Sequence, residues 1–157
     1  MTDFSRRTAL GVMAFALLSA CGGRRRDRRL ASRGDLYHGE TPQMRALINQ
    51  YAAIHQIPPS LLHRVIQRES DYNAGARNGP YYGLMQILPQ TAQTMGYRGS
   101  PQGLLDAETN LRYAGRYLRG AYIVANGNED RAIVWYAKGY YYEAKRKGLL
   151  EETGLRG

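Results

Sequence analysis

Residues 60–92 read SLLHRVIQRESDYNAGARNGPYYGLMQILPQTA and contain the most informative pattern in the chain. Two prolines precede this sequence, and apolar residues then recur at steps of three and four: Leu61, Leu62, Val65 and Ile66. The spacing predicts a helix with one buried face, and Ser60 can cap its amino end. Glu69 continues the same series, so we expect its carboxyl on the buried face at the end of the helix.

A polar loop is predicted after this helix. Residues 73–80 are rich in asparagine and glycine and end in proline, a composition typical of turns. A buried carboxyl at a helix end beside such a loop indicates a candidate active site. Beyond the loop, we expect residues 84–88 to form a short buried turn of helix and Pro89 to open the next helix.

Three motifs in this region resemble those of the soluble lytic transglycosylase (SLT) family, lysozyme-like enzymes that cut the glycan strands of peptidoglycan. The motifs are ESDYN at residues 69–73, GLMQI at 83–87 and PQTA at 89–92. Residues 106–118 resemble a further block of the family, which extends the resemblance over roughly residues 45 to 142. The resemblance implies a lysozyme-like transglycosylase fold.

The rest of the domain also has a helical pattern. Asp106 can cap a longer helix, and Asp130 can begin another that is interrupted at Gly139. We find no convincing alternating strand pattern in the sequence. We therefore predict an all-α domain over residues 41–148, with six or seven short helices around the Glu69 helix and little or no sheet. Residues 149–157 are predicted to be a polar tail.

The amino-terminal sequence predicts export and lipidation. Residues 1–20 combine paired arginines with an apolar run that is too short to span a bilayer, which is typical of a signal peptide. Cys21, the single cysteine of the chain, completes a sequence that resembles a bacterial lipobox, in which the cysteine is lipidated. In lipoproteins a residue such as Gly22 at the next position implies sorting to the outer membrane. We therefore expect a periplasm-facing lipoprotein of the outer membrane.

The positive charge of the chain lies mainly near its amino terminus. Eight arginines and two aspartates fall within residues 1–33, so that segment carries +6 of the net charge of +9. Residues 21–40 contain few apolar side chains, which predicts a flexible tether that begins at the lipidated Cys21. Its arginines suit anionic lipid headgroups, and nucleic acid is not an expected partner of an exported protein.

Glu69 has the properties that an acid catalyst of glycoside cleavage requires. Glutamate ordinarily titrates near ~4.3, and a pKa of ~6–7, which burial can produce, would need roughly 3 kcal/mol of lost solvation or added repulsion. Asp71 is the nearest second carboxylate in sequence, but two residues further along it should point elsewhere. The chain thus offers one well-placed carboxyl, whereas a typical glycoside hydrolase uses two.

The family resemblance implies a mechanism that needs a single carboxyl. In lytic transglycosylases, one glutamate protonates the oxygen that links N-acetylmuramic acid to N-acetylglucosamine. The same group then acts as a base on the muramoyl 6-hydroxyl, and the product is a 1,6-anhydro sugar formed without water. The resemblance assigns this catalytic role to Glu69. It further places five residues in the substrate-binding site: Ser70, Asn73, Met85, Gln86 and Tyr136. By this resemblance Ser70 is expected to hydrogen-bond near the catalytic carboxyl, and Met85 and Gln86 to line the groove beside the scissile bond. Asn73 is expected to hold the loop, and Tyr136 to lie close to Glu69.

The sequence departs from the family pattern in two places. Ala137 stands where the family motif has asparagine after the tyrosine, and Gly-Pro-Tyr-Tyr-Gly at residues 79–83 replaces a glycine-alanine loop. Tyr81 and Tyr82 in this loop can stack on sugar rings, so we include both among the predicted substrate-binding residues.

Other interpretations of the same residues are open. Glu69 can instead be a structural carboxyl paired with Arg64 or Arg112. A lysozyme-type hydrolase that uses Asp71 or another acid to position water is a second candidate function. A catalytically weak peptidoglycan-binding protein on the same fold is a third, favoured by the change at Ala137.

No metal site or cofactor is predicted. The three histidines, His38, His55 and His63, lack metal-ligand spacing with carboxylates or cysteine, and no phosphate-binding glycine loop is present. The expected partners are peptidoglycan strands and, through Cys21, the membrane. We expect the protein to be a monomer.

Overall fold

A computed structural model of the protein describes residues 35–155. The predicted signal peptide, the lipidation site Cys21 and residues 22–34 of the predicted tether lie outside the described residues. The elements in chain order are α1 (Pro42–His55), α2 (Pro59–Ser70), β1 (Arg77–Asn78), β2 (Tyr81–Tyr82), α3 (Pro89–Thr94), a 3₁₀ helix (Pro101–Leu105), α4 (Ala107–Val124), α5 (Glu129–Lys138) and α6 (Tyr141–Lys147). The prediction of a mainly helical fold with little sheet is confirmed.

Helix α4 lies at the centre of the described domain. It contacts α1, α3, α5, α6 and the 3₁₀ helix, whereas α2 packs mainly on α1 and α5. The core between these helices is built from fully buried aliphatic side chains, among them Ile48, Leu62, Ile66, Leu111 and Leu118. Our expectation that the other helices surround the Glu69 helix is therefore corrected, since α4 occupies that place.

Two helix starts differ from the sequence prediction. Helix α2 begins at Pro59, whose fixed φ suits the first helical position, and Ser60 instead donates a hydrogen bond to Glu129 (Oγ to Oε1, 2.9 Å). Helix α5 begins one residue before Asp130, because Asn128 caps it by accepting from the Arg131 N–H at 2.9 Å. Asp106 caps α4 as predicted, accepting from the Thr109 N–H at 2.8 Å.

Residues 84–88 are not the predicted turn of helix. They form a tight turn that is closed by two hydrogen bonds between Tyr82 and Ile87, each of 3.1 Å, with Gln86 in the left-handed region at φ 47°. An apolar run of this length does not distinguish a helical turn from a buried loop, and here the loop is held by contacts to α2 and α4.

Both ends of the predicted domain extend further than expected. Glu40, placed in the tether by the sequence, is only 8% exposed and receives hydrogen bonds from Arg45 (Nε to Oε1, 2.6 Å) and from the Tyr37 N–H (3.0 Å). At the other end, Leu150 and Thr153 are buried in what was predicted to be a polar tail. Residues 37–40 and 149–155 thus belong to the packed domain.

Within residues 35–155, no helix has the combination of length and hydropathy that crossing a membrane would require.

Candidate active site

Glu69 lies in the last turn of α2, where the helix meets the polar loop. Its side chain is 23% exposed, and the helix ends immediately afterwards because Asp71 adopts a left-handed conformation at φ 48°. Burial raises the pKa of the Glu69 carboxyl above its ordinary value, although the nearby charge of Arg68 opposes this effect. The raised pKa is the property that an acid catalyst needs.

Arg68 is the cation closest to the Glu69 carboxyl. Its Nε lies 3.5 Å from Oε1 of Glu69, and its own side chain is 53% exposed. The structural pairing considered from the sequence is absent from the described residues. Arg64 pairs with Glu129 and Asp130, and Arg112 pairs with Glu108. Glu69 is therefore not held in the structural ion pairs that we considered for it.

Glu69 opens into a groove made of two adjoining cavities of about 330 and 300 Å³. The first cavity is lined by Arg68, Glu69, Asn78, Tyr81, Gln86, Tyr136 and Ala137. The second shares Tyr81, Gln86, Tyr136 and Ala137 and continues along Ile87, Leu88, Thr91, Tyr117, Lys138 and Gly139. We call these residues together the groove. Each cavity lies at the small end of the ~300–1,000 Å³ range of ligand pockets, and their shared wall makes an elongated site.

Tyr136 lies at the junction of the two cavities. Its hydroxyl donates to the Met85 carbonyl at 2.8 Å, and its ring packs against Tyr117 with 5.5 Å between centroids. Burial, together with the negative charge of Glu69 and the neighbouring Tyr117, raises the pKa of Tyr136 well above its ordinary value. The side chain is therefore a neutral phenol at physiological pH, and it lines the same cavity as Glu69.

Gln86 and Tyr81 are the other predicted binding residues that reach the groove. The Gln86 amide donates to the carbonyls of Ala76 (3.1 Å) and Gly83 (2.9 Å), which fixes the side chain between two parts of the loop. Tyr81 is 43% exposed and lines both cavities. These two side chains join Tyr136 and Glu69 in one surface.

Met85 and Tyr82 lie in the core, which corrects the prediction that they line the groove. Met85 has no exposed surface, and Tyr82 is 6% exposed with the Arg77 guanidinium 4.9 Å from its ring centroid. Neighbouring residues of a strand point to opposite faces, so Tyr81 and Tyr82 cannot both face a sugar from β2.

Ser70 and Asn73 act on the backbone of the site. Ser70 donates to the Leu84 carbonyl at 2.7 Å, which ties the end of α2 to the turn at residues 83–87. The Asn73 side chain accepts from the Gly75 N–H at 3.0 Å and so closes a turn in the polar loop. Neither side chain lines the groove of the described domain; the two residues instead fix the backbone at the end of α2 and in the polar loop.

Asn110, a fully buried residue of α4, organises the site although its pattern in the sequence did not predict this. Its side chain accepts from the Met85 N–H (2.9 Å) and donates to the carbonyls of Tyr82 (2.9 Å) and Leu104 (2.8 Å). Gly83 permits this approach, since a Cβ at that position would lie 2.3 Å from the Asn110 amide nitrogen. The available signal was a polar residue directly before Leu111 in the buried face of the predicted helix.

Arg68, Asn78, Tyr117 and Lys138 are further groove residues that the sequence analysis did not identify. Tyr117 lies in the family block at residues 106–118, and Lys138 directly follows Ala137, so both had a signal in the sequence. Arg68 adjoins Glu69, but helix periodicity alone would have placed it in solvent.

No second carboxylate lines the groove in the part of the chain that the structure describes. Asp71 points away, with Oδ2 lying 2.9 Å from Nδ1 of His38. The described residues also contain no group of three or more histidine, cysteine, aspartate or glutamate side chains that could hold a metal ion. The chemistry available in the groove is therefore that of one carboxyl among tyrosines, amides and two cations.

Comparison with known proteins gives one family. A family model described as "Transglycosylase SLT domain" matches residues 46–151. That range contains every groove residue. No solved structure matches the chain.

Proposed function

Because this chain belongs to the SLT transglycosylase family of peptidoglycan-processing enzymes, we propose that it is a lytic transglycosylase in which Glu69 is the single catalytic carboxyl. The proposed substrate bond links N-acetylmuramic acid to N-acetylglucosamine. The observation that carries the proposal is the isolation of Glu69, the one carboxylate among the groove residues of the described domain, with its pKa raised by burial.

The first proposed step is acid catalysis. Protonated Glu69 donates its proton to the glycosidic oxygen while the bond from that oxygen to the muramoyl C1 breaks. The ring then carries positive charge at C1. The carboxylate left behind is only partly exposed to water, so its negative charge is weakly screened and can stabilise this positive charge.

The second proposed step uses the same group as a base. The Glu69 carboxylate takes the proton of the muramoyl 6-hydroxyl while the oxygen of that hydroxyl bonds to C1. This step regenerates the acid and closes the 1,6-anhydro ring. No water is consumed, so no second carboxylate is needed to activate one. Tyr136 stays neutral beside the carboxyl and therefore does not compete for the proton.

Mass spectrometry of peptidoglycan digests tests the proposal. We expect the purified protein to release anhydro-muropeptides, each one water lighter than the corresponding lysozyme product. Glu69→Gln should release none, whereas Glu151→Gln, which removes an exposed carboxylate outside the groove, should act like the wild type. Products that incorporate oxygen from labelled water would instead identify a hydrolase, and binding without products would identify a glycan-binding protein.

We also propose that the enzyme is a periplasm-facing lipoprotein of the outer membrane, anchored through Cys21. Since residues 37–40 pack on the domain, the tether is shorter than the sequence suggested. The fifteen residues from 22 to 36 span at most about 50 Å when extended. Incorporation of labelled palmitate, and its loss in Cys21→Ser, tests the anchor, and fractionation of the membranes tests the location.

A further inference from the structure

The groove contains a cation that the proposed reaction does not use. Its charged residues are Arg68, Glu69 and Lys138. Arg68 lies beside Glu69, but Lys138 lines the other cavity and has no hydrogen-bond or ion-pair partner among the described residues. Some other cations of the domain are paired, such as Arg64 with Asp130 at 2.6 Å and Arg146 with Glu143 at 2.6 Å, but among the lysines and arginines of the described residues only Arg68 and Lys138 line the groove.

Lys138 lies at the carboxyl end of α5. It is the last residue of that helix, and Gly139 then turns the chain at φ 81°. A lysine in the last turn is favoured by the helix dipole, a small effect that needs no particular direction of the side chain. The dipole accounts for a cation here, but it does not require that cation to line a cavity with Tyr81 and Tyr117.

The junction beside Lys138 is open. Ala137 lines both cavities, and its small side chain occupies the place where the resembled family motif carries asparagine. A substituent on the sugar bound at Glu69 can therefore extend across this point without meeting a long polar side chain. Lys138 lines the second cavity together with Ala137.

The ligand for such a cation is anionic. The sugar rings of the glycan backbone carry no charge, and an unpaired lysine adds little to their binding. Each muramoyl residue, however, bears a lactyl group that ends either in a free carboxylate or in a peptide with free carboxylates. A lysine ammonium forms a charge-assisted hydrogen bond with a carboxylate.

From these observations, and resting on the function proposed above, we propose that Lys138 forms a subsite for a carboxylate carried by the lactyl substituent of the muramoyl residue. The enzyme therefore selects strands by the charge of their substituents. Because Lys138 lies in the cavity that does not contain Glu69, its contact with the carboxylate contributes the same binding energy in the ground state and in the transition state. Its loss raises KM and leaves kcat unchanged.

The test compares uncrosslinked peptidoglycan strands before and after their carboxylates are converted to amides. We expect amidation to lower kcat/KM of the full chain about three- to tenfold, the range of a partly exposed charge-assisted contact. Lys138→Gln should have the lower value on both substrates. Lys145→Gln, which removes an exposed lysine of α6 that does not line the groove, should behave like the wild type.

A third substrate identifies the source of the carboxylate. Strands stripped of peptides keep a lactyl carboxylate, so full activity on them places the bound group on the lactyl unit, and reduced activity places it on the peptide. Equal rates of the wild type on free and amidated strands, or continued discrimination by Lys138→Gln, would overturn the subsite while leaving the proposed reaction intact. Failure of the wild type to release products from any strand would refute the proposed reaction itself.

Discussion

Replacement of Asn110 by alanine is expected to weaken the fold and the groove together. The Asn110 side chain accepts a hydrogen bond from the Met85 N–H at 2.9 Å and donates to the carbonyls of Tyr82 and Leu104 at 2.9 and 2.8 Å. The Tyr82 carbonyl also accepts from the Ile87 N–H, so of the three backbone groups that lose Asn110 only two, the Met85 N–H and the Leu104 carbonyl, are left without a partner. A buried group left without a partner costs about 1–3 kcal/mol. We therefore expect a loss of about 3 kcal/mol in the free energy of unfolding, a large part of the ~5–15 kcal/mol typical of a domain.

Thermal unfolding followed by circular dichroism measures this loss. For a domain of this size, 3 kcal/mol corresponds to a decrease in Tm of about 10 °C. Asn110→Asp keeps the acceptor for the Met85 N–H but lacks both donated bonds and adds a buried charge, so it should be at least as unstable. Asn49→Ala, at an exposed position in α1, is the matched control and should change stability by less than about 0.5 kcal/mol.

Activity separates a local effect from a global one. At a temperature where Asn110→Ala is fully folded, we expect its rate of peptidoglycan cleavage to be lower than that of the wild type, because the turn that carries Gln86 has lost its anchor to α4. If the free energy of unfolding of Asn110→Ala is within about 1 kcal/mol of the wild-type value and the variant cleaves at the normal rate, Asn110 does not organise the groove.

Three further changes have expected outcomes. Arg68→Gln removes the charge that opposes the effect of burial, so the pKa of Glu69 should rise. Because the acid must be protonated to act, the alkaline limb of the profile of kcat/KM against pH should move to higher pH. A shift of that limb to lower pH would contradict this assignment. Tyr136→Phe removes the donor to the Met85 carbonyl and should lower the free energy of unfolding by about 1–2 kcal/mol in urea titrations. An unchanged midpoint of the urea transition would contradict this expectation. Burial raises the pKa of Glu40, but hydrogen bonds from Arg45 and the Tyr37 N–H outweigh it and hold the pKa below the ordinary 4.5. Its stabilisation is therefore present above that pH and lost as the pH falls through the lower folded-state value, so the advantage of the wild type over Glu40→Gln in urea unfolding should shrink between pH 7 and pH 3.

Local patterns of the sequence predicted the helices and the position of Glu69. The apolar series before Glu69 gives α2, Asp106 caps α4, and Gly139 ends α5, since each of these signals acts within one or two turns of helix. The partial burial of Glu69 follows from the same periodicity.

The residues that the sequence misplaced depend on specific pairwise contacts, some between neighbouring and some between distant parts of the chain. Met85 is in the core because the turn around it is held from α4, and Tyr82 is buried because a two-residue strand fixes which of two tyrosines faces out. Glu40 is inside because Arg45 and the backbone compensate for its burial. Hydropathy along the chain contains no information on these pairings, since charged and polar residues are ordinarily exposed.

The turn at residues 83–87 explains how a groove built partly on a loop keeps a fixed geometry. Three helices hold its backbone: Ser70 of α2 binds the Leu84 carbonyl, Asn110 of α4 binds the Met85 N–H, and Tyr136 of α5 binds the Met85 carbonyl. Glu69 and Gln86 each lie within one residue of these anchors, so the packing of the core sets the distance between them. Ala137 and Lys138 are exposed, and no side-chain hydrogen bond ties them to this turn within residues 35–155. Substitutions at these two positions should therefore change which strands are bound while the position of the Glu69 carboxyl stays the same.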